Sequence, residues 1–210
     1  MKKQQDQQRD TEALIMQAAE KEFLEKGYSG AKTTSIAEVA GVTHAMFHYY
    51  FRTKDKLFEK IVAEKMGQLK DLMFSAICNA ELPLKERIVL GVECHFDFIA
   101  ANPLLPRFVF NELYNNPERV GKIQEELFAI AEKLLDNLQS AIDSAASLGQ
   151  CRKVEARMIL LDIISLNIFP FVAEPLIGAL LAKDGDRREE LLEKRKKENV
   201  RTILAKLNLT

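Results

Sequence analysis

Apolar residues recur at intervals of three and four positions along nearly the whole chain after residue 10. This interval matches one face of an α-helix, whereas a half-buried strand would alternate at every second residue. The first such segment has the apolar positions Leu14, Ile15, Ala18, Ala19, Phe23 and Leu24, and it stops at Gly27, a residue suited to closing a helix. No strand-like alternation and no internal repeat interrupts the pattern, which predicts an all-α protein of about nine helices.

Two short helices joined by a tight turn are predicted next. The first begins at Thr33 or Thr34, whose hydroxyl groups suit the N-cap position. Gly41 supplies the turn, and Thr43 is placed to cap a second helix over residues 44–50. Two short helices in this arrangement form a helix-turn-helix, whose second helix enters the major groove of DNA.

The faces of these two helices divide by polarity. The positions expected to face inward are Ile36, Ala37, Ala40, Val42, Phe47 and Phe51. Phe47 and Phe51 lie four residues apart, so they share one face and should anchor the second helix. The side chains expected to point outward are those of His44, Ala45, His48 and Tyr49. Their donors and acceptors suit base edges and phosphates.

Six further helices are predicted over 54–79, 83–101, 106–114, 118–147, 153–182 and 187–207. Thr53 is placed to cap the first of them. The helix at 153–182 is apolar around most of its girth, so it has to be covered on several sides. Helices of the same monomer, or a second copy in a four-helix interface with the final helix, would do this. Pro170 should kink the helix and free the carbonyl one turn earlier for another partner.

Composition adds limits on the class of protein. The formal net charge of the 210 residues is -1, so DNA contacts would have to come from local Lys and Arg side chains. Three cysteines at wide spacing form neither a zinc pattern nor a disulfide framework, which favours the cytoplasm. Residues 1–10 carry no apolar stretch, which predicts a disordered arm and no signal peptide. Residues 158–182 are interrupted by charged residues and prolines, so a membrane span is not expected.

The helix-turn-helix region carries a longer pattern. It consists of Phe23, the pair Gly27-Tyr28, and the continuous run TTSIAEVAGVTHAMFHYYFRTKDKL over residues 33–57. This pattern resembles the TetR family of bacterial transcriptional regulators, and the resemblance covers roughly residues 10–60. Two positions depart from the family pattern, since His48 stands where Tyr is usual and Ala45 where Gly is frequent.

The resemblance implies roles for particular residues. Thr33 and Tyr50 would touch DNA phosphates, and Lys54 would clamp the DNA backbone from the start of the next helix. Thr34 would face the groove together with the outward side chains of the second helix. The candidate DNA-contacting residues are Thr33, Thr34, Thr43, His44, Ala45, His48, Tyr49, Tyr50 and Lys54.

The resemblance also implies a domain plan and a function. Residues 11–53 would form the DNA-binding domain, and residues 54–210 a larger ligand-binding and dimerisation domain, with the helix 54–79 linking the two. The protein would be a ligand-responsive regulator, a repressor that dimerises on a palindromic operator through helices 153–182 and 187–207. Its partners would be double-stranded DNA, a second copy and a small amphipathic or aromatic effector, with no cofactor.

Candidate effector-binding residues are chosen by type, as polar or aromatic residues on otherwise apolar helices of the C-terminal part. They are Cys94, His95, Phe98, Phe110, Asn111, Tyr114, Phe128, Asp162 and Asn167. The pattern favours an amphipathic or aromatic compound and identifies no particular molecule.

Two other classes of protein are compatible with an all-helical chain. A helical enzyme is disfavoured because no nucleophile–base pair, paired carboxylates or phosphate loop occurs at a workable spacing. Cys94 and His95 point about 100° apart on a helix and form no dyad; His95 instead reads as a core or pocket-lining residue. His44 and His48 have a metal-ligand spacing but lack further ligands, so no metal is expected. A dimeric adaptor without DNA binding stays open, and a gel-shift assay would distinguish it.

Overall fold

A computed structural model describes residues 2–115, 117–181 and 187–209. All regular secondary structure in these residues is helical, which confirms the predicted fold class, although the helices number ten. Their bounds are α1 Lys2–Gly30, α2 Thr33–Val39, α3 His44–Phe51, α4 Lys54–Ile77, α5 Leu84–Ala101, α6 Leu105–Asn115, α7 Pro117–Ser147, α8 Ala156–Val172, α9 Glu174–Leu181 and α10 Arg188–Leu207.

Helix α1 differs from the prediction at both ends. It begins at Lys2, within the arm of residues 1–10 that was expected to be disordered. At the other end Gly27 has φ 69° and ψ 170°, so the regular helix is interrupted there and a further turn leads to Gly30. A positive φ of this kind favours glycine, because a Cβ atom would be strained. The predicted stop at Gly27 is therefore the point where the backbone departs from the helix.

The chain divides into two compact units, and the functional division predicted after residue 53 stays a prediction. Unit 1 comprises Met1–Gly67 and Arg107–Ile123, and unit 2 comprises Gln68–Pro106 and Gln124–Thr210. The helix-turn-helix thus shares its unit with the first half of α4 and with most of α6. The periodicity of a sequence shows which face of a helix is apolar, but not which distant helix covers it.

Aromatic rings form part of the core of unit 1. Phe23 stacks on Tyr28 with ring centroids 5.8 Å apart, and Phe58 meets both rings edge-on. Phe108 of α6 lies 5.8 Å from Phe58. Edge-on and offset arrangements of this type are the favoured geometries for aromatic pairs. They join α1, α4 and α6 within the unit.

In unit 2, α5 packs against both α8 and α10, and α10 also packs against α8. The buried core contains residues of five helices: Met73, Ala76, Ile77, Ile88, Val92, Leu134, Leu138, Ile142, Ala156, Ile159, Ile163, Ile203, Leu204 and Leu207. Helices α4 and α5 approach closely at Gly91, where a Cβ atom would lie 2.9 Å from Cγ1 of Ile77. A larger residue at this position would overpack the core.

The predicted helix 153–182 is two helices, α8 and α9, separated at Ala173. The break places Pro175 in the first turn of α9, where its missing N–H group removes no helical hydrogen bond. Pro170 lies inside α8 and leaves the carbonyl of Leu166 without its usual donor. The side-chain amide of Asn199 donates to this carbonyl at 3.1 Å. The prediction that the freed carbonyl would find another partner is confirmed.

The longest apolar-rich stretch of the sequence, residues 158–182, is thus shared between α8 and α9. Among the described helices, none is by itself both long and apolar enough to cross a bilayer. Only α5 and α6 taken together, across the bend between them, reach that length and apolarity.

Candidate DNA-binding site

The turn between α2 and α3 is held by backbone and cap contacts. Gly41 has φ 68°, and the backbone N–H of Val42 donates to the carbonyl of Ala37 at 3.0 Å. Thr43 is the N-cap of α3, and its hydroxyl oxygen accepts from the N–H of Met46 at 3.2 Å. Both features confirm the predicted turn. The predicted cap of α2 is wrong, because Lys32 occupies the N-cap without a side-chain bond and the helix starts at Thr33.

The inner face of α3 anchors the helix in unit 1. Phe47 is 0% exposed and Phe51 is also buried, as the spacing predicted. Ile36 and Ala37 of α2 are buried as well. Burial of one Phe side chain contributes roughly 1.5–3 kcal/mol. These contacts fix the rotation of α3 about its own axis, and so decide which side chains point outward.

The outer face of α3 carries the side chains that the pattern predicted there. His44, Ala45, His48 and Tyr49 are all exposed. Tyr49 is 72% exposed, and its ring meets that of Tyr50 edge-on with centroids 5.3 Å apart. The helix therefore presents a donor- and acceptor-bearing surface of the kind that reads base edges in the major groove.

The two histidines of this face each have one ring nitrogen engaged. Nε2 of His44 lies 3.1 Å from Oγ1 of Thr33, which links α3 to the start of α2. Nδ1 of His48 lies 3.0 Å from the carbonyl oxygen of Arg52. A carbonyl only accepts, so Nδ1 of His48 donates this bond, and in the matching neutral tautomer Nε2 is an acceptor. Such an acceptor matches the exocyclic amine of adenine or cytosine.

The hydroxyl groups of the candidate threonines differ in exposure and in hydrogen bonding. Thr34 is exposed at the start of α2, while Thr33 is half-buried and contacts His44. Thr43 accepts a hydrogen bond with its hydroxyl oxygen, so its hydroxyl proton is not used by that bond. A hydroxyl in this state donates readily to a phosphate oxygen.

Lys54 has a role that the sequence did not reveal. Its ammonium group donates to the carbonyls of Tyr28 at 3.0 Å and Ala31 at 2.9 Å, and it lies 4.4 Å from the centroid of the Tyr28 ring. These carbonyls belong to the end of α1 and to the residue after it, where helical acceptors lack partners. Two of the three ammonium donors are thus directed into unit 1. The two acceptors, Tyr28 and Ala31, lie 26 and 23 positions before Lys54 in the sequence, so no local pattern indicates this pairing.

Replacing Lys54 by Met is expected to lower the free energy of unfolding by about 1–2 kcal/mol, because two charged hydrogen bonds and a cation–π contact are lost. Met keeps most of the length of the stem. Urea denaturation measures the effect. The matched control is Lys56→Met, since Lys56 is exposed in the same turn of α4. Equal stabilities of the two variants would contradict the assigned role.

The nine candidate effector residues are divided between the two units. Phe110, Asn111 and Tyr114 belong to unit 1, where all three are exposed, and the other six belong to unit 2. In unit 2, Phe128 is exposed and Asp162 pairs with Lys206. Cys94 packs against one buried cluster and Phe98 belongs to another.

His95 and Asn167 do meet, within a buried polar network that joins α5, α8 and α10. The amide nitrogen of Asn167 donates to the carbonyl of Val92 at 2.9 Å and to Nδ1 of His95 at 3.1 Å. Asn199 donates to Oδ1 of Asn167 at 2.9 Å. An amide nitrogen only donates, so Nδ1 of His95 accepts and Nε2 carries the ring proton.

Burial controls the protonation of this network. His95 is 5% exposed, and burial lowers the pKa of its imidazole to about 4. The ring is therefore neutral near pH 7, as a core histidine without an acidic partner should be. Oδ1 of Asn199 is buried without a hydrogen-bond partner among the described residues. The sequence singled out His95 and Asn167 by type, but Asn199 lies in a mostly charged helix and gave no such signal.

The fold and the exposed face of α3 define a helix-turn-helix protein with a second, helical unit. The family model for bacterial regulatory proteins of the tetR family matches residues 15–61, and the model for the tetracyclin repressor-like C-terminal domain matches residues 85–203. The second match alone covers more than half of the chain. The chain belongs to the TetR family of bacterial regulators.

Individual proteins are similar over shorter or more divergent stretches. The fatty acid metabolism regulator protein of Bacillus subtilis (strain 168) is 31% identical over 122 residues, which are 58% of this chain. The match spans 62% of that relative's own length. The structure of FadR from Bacillus subtilis in complex with stearoyl-CoA is 19% identical and has a TM-score of 0.65, covering 92% of this chain and 98% of that chain.

A second solved structure, AibR in complex with isovaleryl coenzyme A and operator DNA, has a TM-score of 0.67 at 17% identity. The match covers 91% of this chain and 97% of AibR. At these identities, the likeness to solved structures shows the fold alone.

Proposed function

We propose that this protein is a ligand-responsive, DNA-binding transcriptional repressor that acts in the cytoplasm as a dimer. The observation that carries the proposal is the exposed outer face of α3, which a buried inner face holds in place. In this proposal residues 11–53 bind DNA, and residues 54–210 bind the effector and the second copy. Thr33, Tyr50 and Thr43 contact phosphates, while Thr34, His44, Ala45, His48 and Tyr49 face the bases. Lys54 adds one ammonium donor beside its structural bonds.

Replacing Tyr49 by Ala is expected to weaken binding to the specific operator by ~1–3 kcal/mol, while binding to unrelated DNA changes little. The reason is that Tyr49 projects from the outer face of α3 and is not needed for the core. Gel-shift titrations on both DNA sequences measure the two effects. Tyr50→Phe supplies the comparison, since Tyr50 is proposed to contact a phosphate and loss of a phosphate contact acts equally on all sequences. A uniform loss for Tyr49→Ala would refute a base-reading role.

Dimerisation is supported by an apolar stripe on α8. Met158, Leu161 and Phe169 are exposed there, together with Ser165. At 100° per residue, these four positions fall within one narrow face of the helix. A contiguous exposed apolar face commonly marks a protein interface, and a two-fold dimer uses the same face twice. We therefore assign α8, with α9 and α10, to the dimer interface predicted at 153–182 and 187–207.

The dimer sets the geometry of DNA binding. Two recognition helices have to lie about 34 Å apart to enter successive major grooves of a palindrome. Helix α4 is continuous from Lys54 to Ile77, so residues of both units share one helix. An effector that tilts this helix would change the separation of the recognition helices. A preference of ~1–3 kcal/mol for one state is sufficient for useful coupling.

The effector class follows from relatives. FadR was crystallised with stearoyl-CoA and AibR with isovaleryl coenzyme A. We infer that the effector of this chain is an acyl-CoA thioester, which has the amphipathic character that the sequence favoured. The residues that line its binding site are not assigned by this inference.

A gel-shift assay on a palindrome near the protein's own coding region tests the proposal. Binding should fall steeply with salt, and stearoyl-CoA or isovaleryl-CoA should release the DNA while coenzyme A alone should not. If DNA binding depends on salt but neither acyl-CoA releases the DNA, the protein binds DNA and the inferred effector class is wrong. Absence of DNA binding at any sequence would favour the dimeric adaptor or the helical enzyme.

A further inference from the structure

Arg87, near the start of α5, is a buried cation. It is 8% exposed, and its Nε donates to the carbonyl of Ile77 at 2.6 Å. The two terminal amino groups of the guanidinium are not used by that bond. In the parts of the chain that the structure describes, no carboxylate forms an ion pair with Arg87. A guanidinium stays charged at physiological pH, so a largely buried one is stabilised by an anion that pairs with it.

The Arg87 side chain lines a cleft of about 440 Å³ in unit 2, which we call the Arg87 cleft. The cleft lies among the end of α4, the start of α5 and the C-terminal part of α7. Polar groups line it beside Arg87, namely Asn137, Ser140 and Gln150. One hydrogen of the Asn137 amide goes to the carbonyl of Lys133, and the second is not used by that bond. The cleft therefore offers several neutral donors around one cation.

The electrostatics of the Arg87 cleft favour an anion. Pro83 and Leu84 bring the N-terminal end of α5 to its wall, and Pro83 at the N-cap provides no side-chain acceptor. The N–H groups of this first turn carry the positive end of the helix dipole. Among the described residues that line the cleft, none is Asp or Glu. The helix terminus and the buried guanidinium thus act in the same direction.

The rest of the wall sets the kind of anion. Leu84, Ala141, Ala145 and Leu148 give the cleft an apolar side. A single guanidinium balances one negative charge, and its planar fork matches the two oxygens of a carboxylate. A volume of about 440 Å³ falls within the range of small-molecule sites. These features together fit a monoanion with an apolar body.

We propose that the Arg87 cleft binds a small organic monocarboxylate, with the carboxylate on the terminal amino groups of Arg87 and the apolar body against Ala141 and Leu148. The proposal goes beyond the effector inference, since none of the nine candidate effector residues lines this cleft. Binding here would neutralise a buried charge and join α5 to α7. It would consequently stabilise unit 2.

Titration of the full-length protein with 2-naphthoate, followed by calorimetry, tests the proposal. Saturable binding is expected, and Arg87→Gln should weaken it at least tenfold because a charged, two-pronged hydrogen bond is lost. Ala141→Phe fills the cleft while leaving Arg87 and its bond to Ile77 intact, and it should weaken binding to the same degree. This second variant decides the matter if Arg87→Gln does not fold. Arg152→Gln, at an exposed position of unit 2, should leave the affinity unchanged.

Three results would overturn the proposal. The first is the absence of saturable 2-naphthoate binding to the unaltered protein. The second is equal binding of 2-naphthalenemethanol, which has the same rings without the charge and would reveal an apolar groove only. The third is tighter binding of 2-naphthyl phosphate, whose larger charge would make the cleft a phosphate site. Operator binding and its release by acyl-CoA, measured on Ala141→Phe, report separately on the proposed function.

Discussion

Replacement of Asn167 by Ala is expected to lower the free energy of unfolding by about 3–4 kcal/mol. Asn167 is 0% exposed and makes three side-chain hydrogen bonds, to Val92, His95 and Asn199. Its loss leaves Nδ1 of His95 without a donor and takes one acceptor from Asn199. Each buried polar group left unpaired costs about 1–3 kcal/mol, and the cavity adds to that.

Urea denaturation at neutral pH measures this effect, and Asn167→Leu is the control. Leu restores most of the volume, so any remaining destabilisation comes from the unpaired polar groups. A double-mutant cycle with Asn199→Leu should give a coupling of about 1 kcal/mol or more, because the two amides are bonded directly. Leu at position 167 with unaltered stability would show that the network contributes nothing.

Stability is also expected to fall as the pH is lowered from 6.5 to 4, by about 3 kcal/mol through His95 alone. Burial lowers the pKa of His95 from 6.5 to about 4 in the folded protein. Below pH 6.5 the unfolded chain therefore binds a proton at this position before the folded chain does. The contribution is fully present above pH 6.5 and is lost progressively as the pH falls towards 4.

To isolate the contribution of His95, the pH dependence of the free energy of unfolding is compared between the unaltered protein and His95→Gln. Gln keeps a side-chain acceptor for Asn167 but does not titrate, while the carboxylates titrate alike in both proteins. The curves should run parallel above pH 6.5 and diverge below it. If both proteins lose stability equally between pH 6.5 and 4, the imidazole is already protonated, or accessible to protons, in the folded state.

The helix-turn-helix could be predicted in detail because its determinants are local. The 3.6-residue period distinguished the buried face with Phe47 and Phe51 from the exposed face with Tyr49. The cap residues Thr43 and Thr53 act on N–H groups three positions away, at Met46 and Lys56. Helix caps depend only on residues close together in the sequence, so the sequence alone predicts them.

Contacts between distant residues could not be predicted in the same way. Lys54 caps the end of α1, 26 positions away at Tyr28. In the buried network, Asn199 lies 32 positions from Asn167, which lies 72 positions from His95. The effector candidates were chosen by side-chain type, and type does not show that Phe110 belongs to unit 1 while Phe98 belongs to unit 2. The helix breaks at Ala173, two residues before Pro175, although Pro170 looked equally disruptive in the sequence.

The bond between Asn199 and the Leu166 carbonyl has an evolutionary consequence. The Asn199 amide can donate to the Leu166 carbonyl because Pro170 lacks the N–H group that would normally donate to it. A mutation of Pro170 to another residue would supply the missing N–H and place it in competition with Asn199. A mutation of Asn199 alone would leave the Leu166 carbonyl without a hydrogen-bond donor. The two positions are therefore expected to show epistasis, with each substitution tolerated far better in the presence of the other.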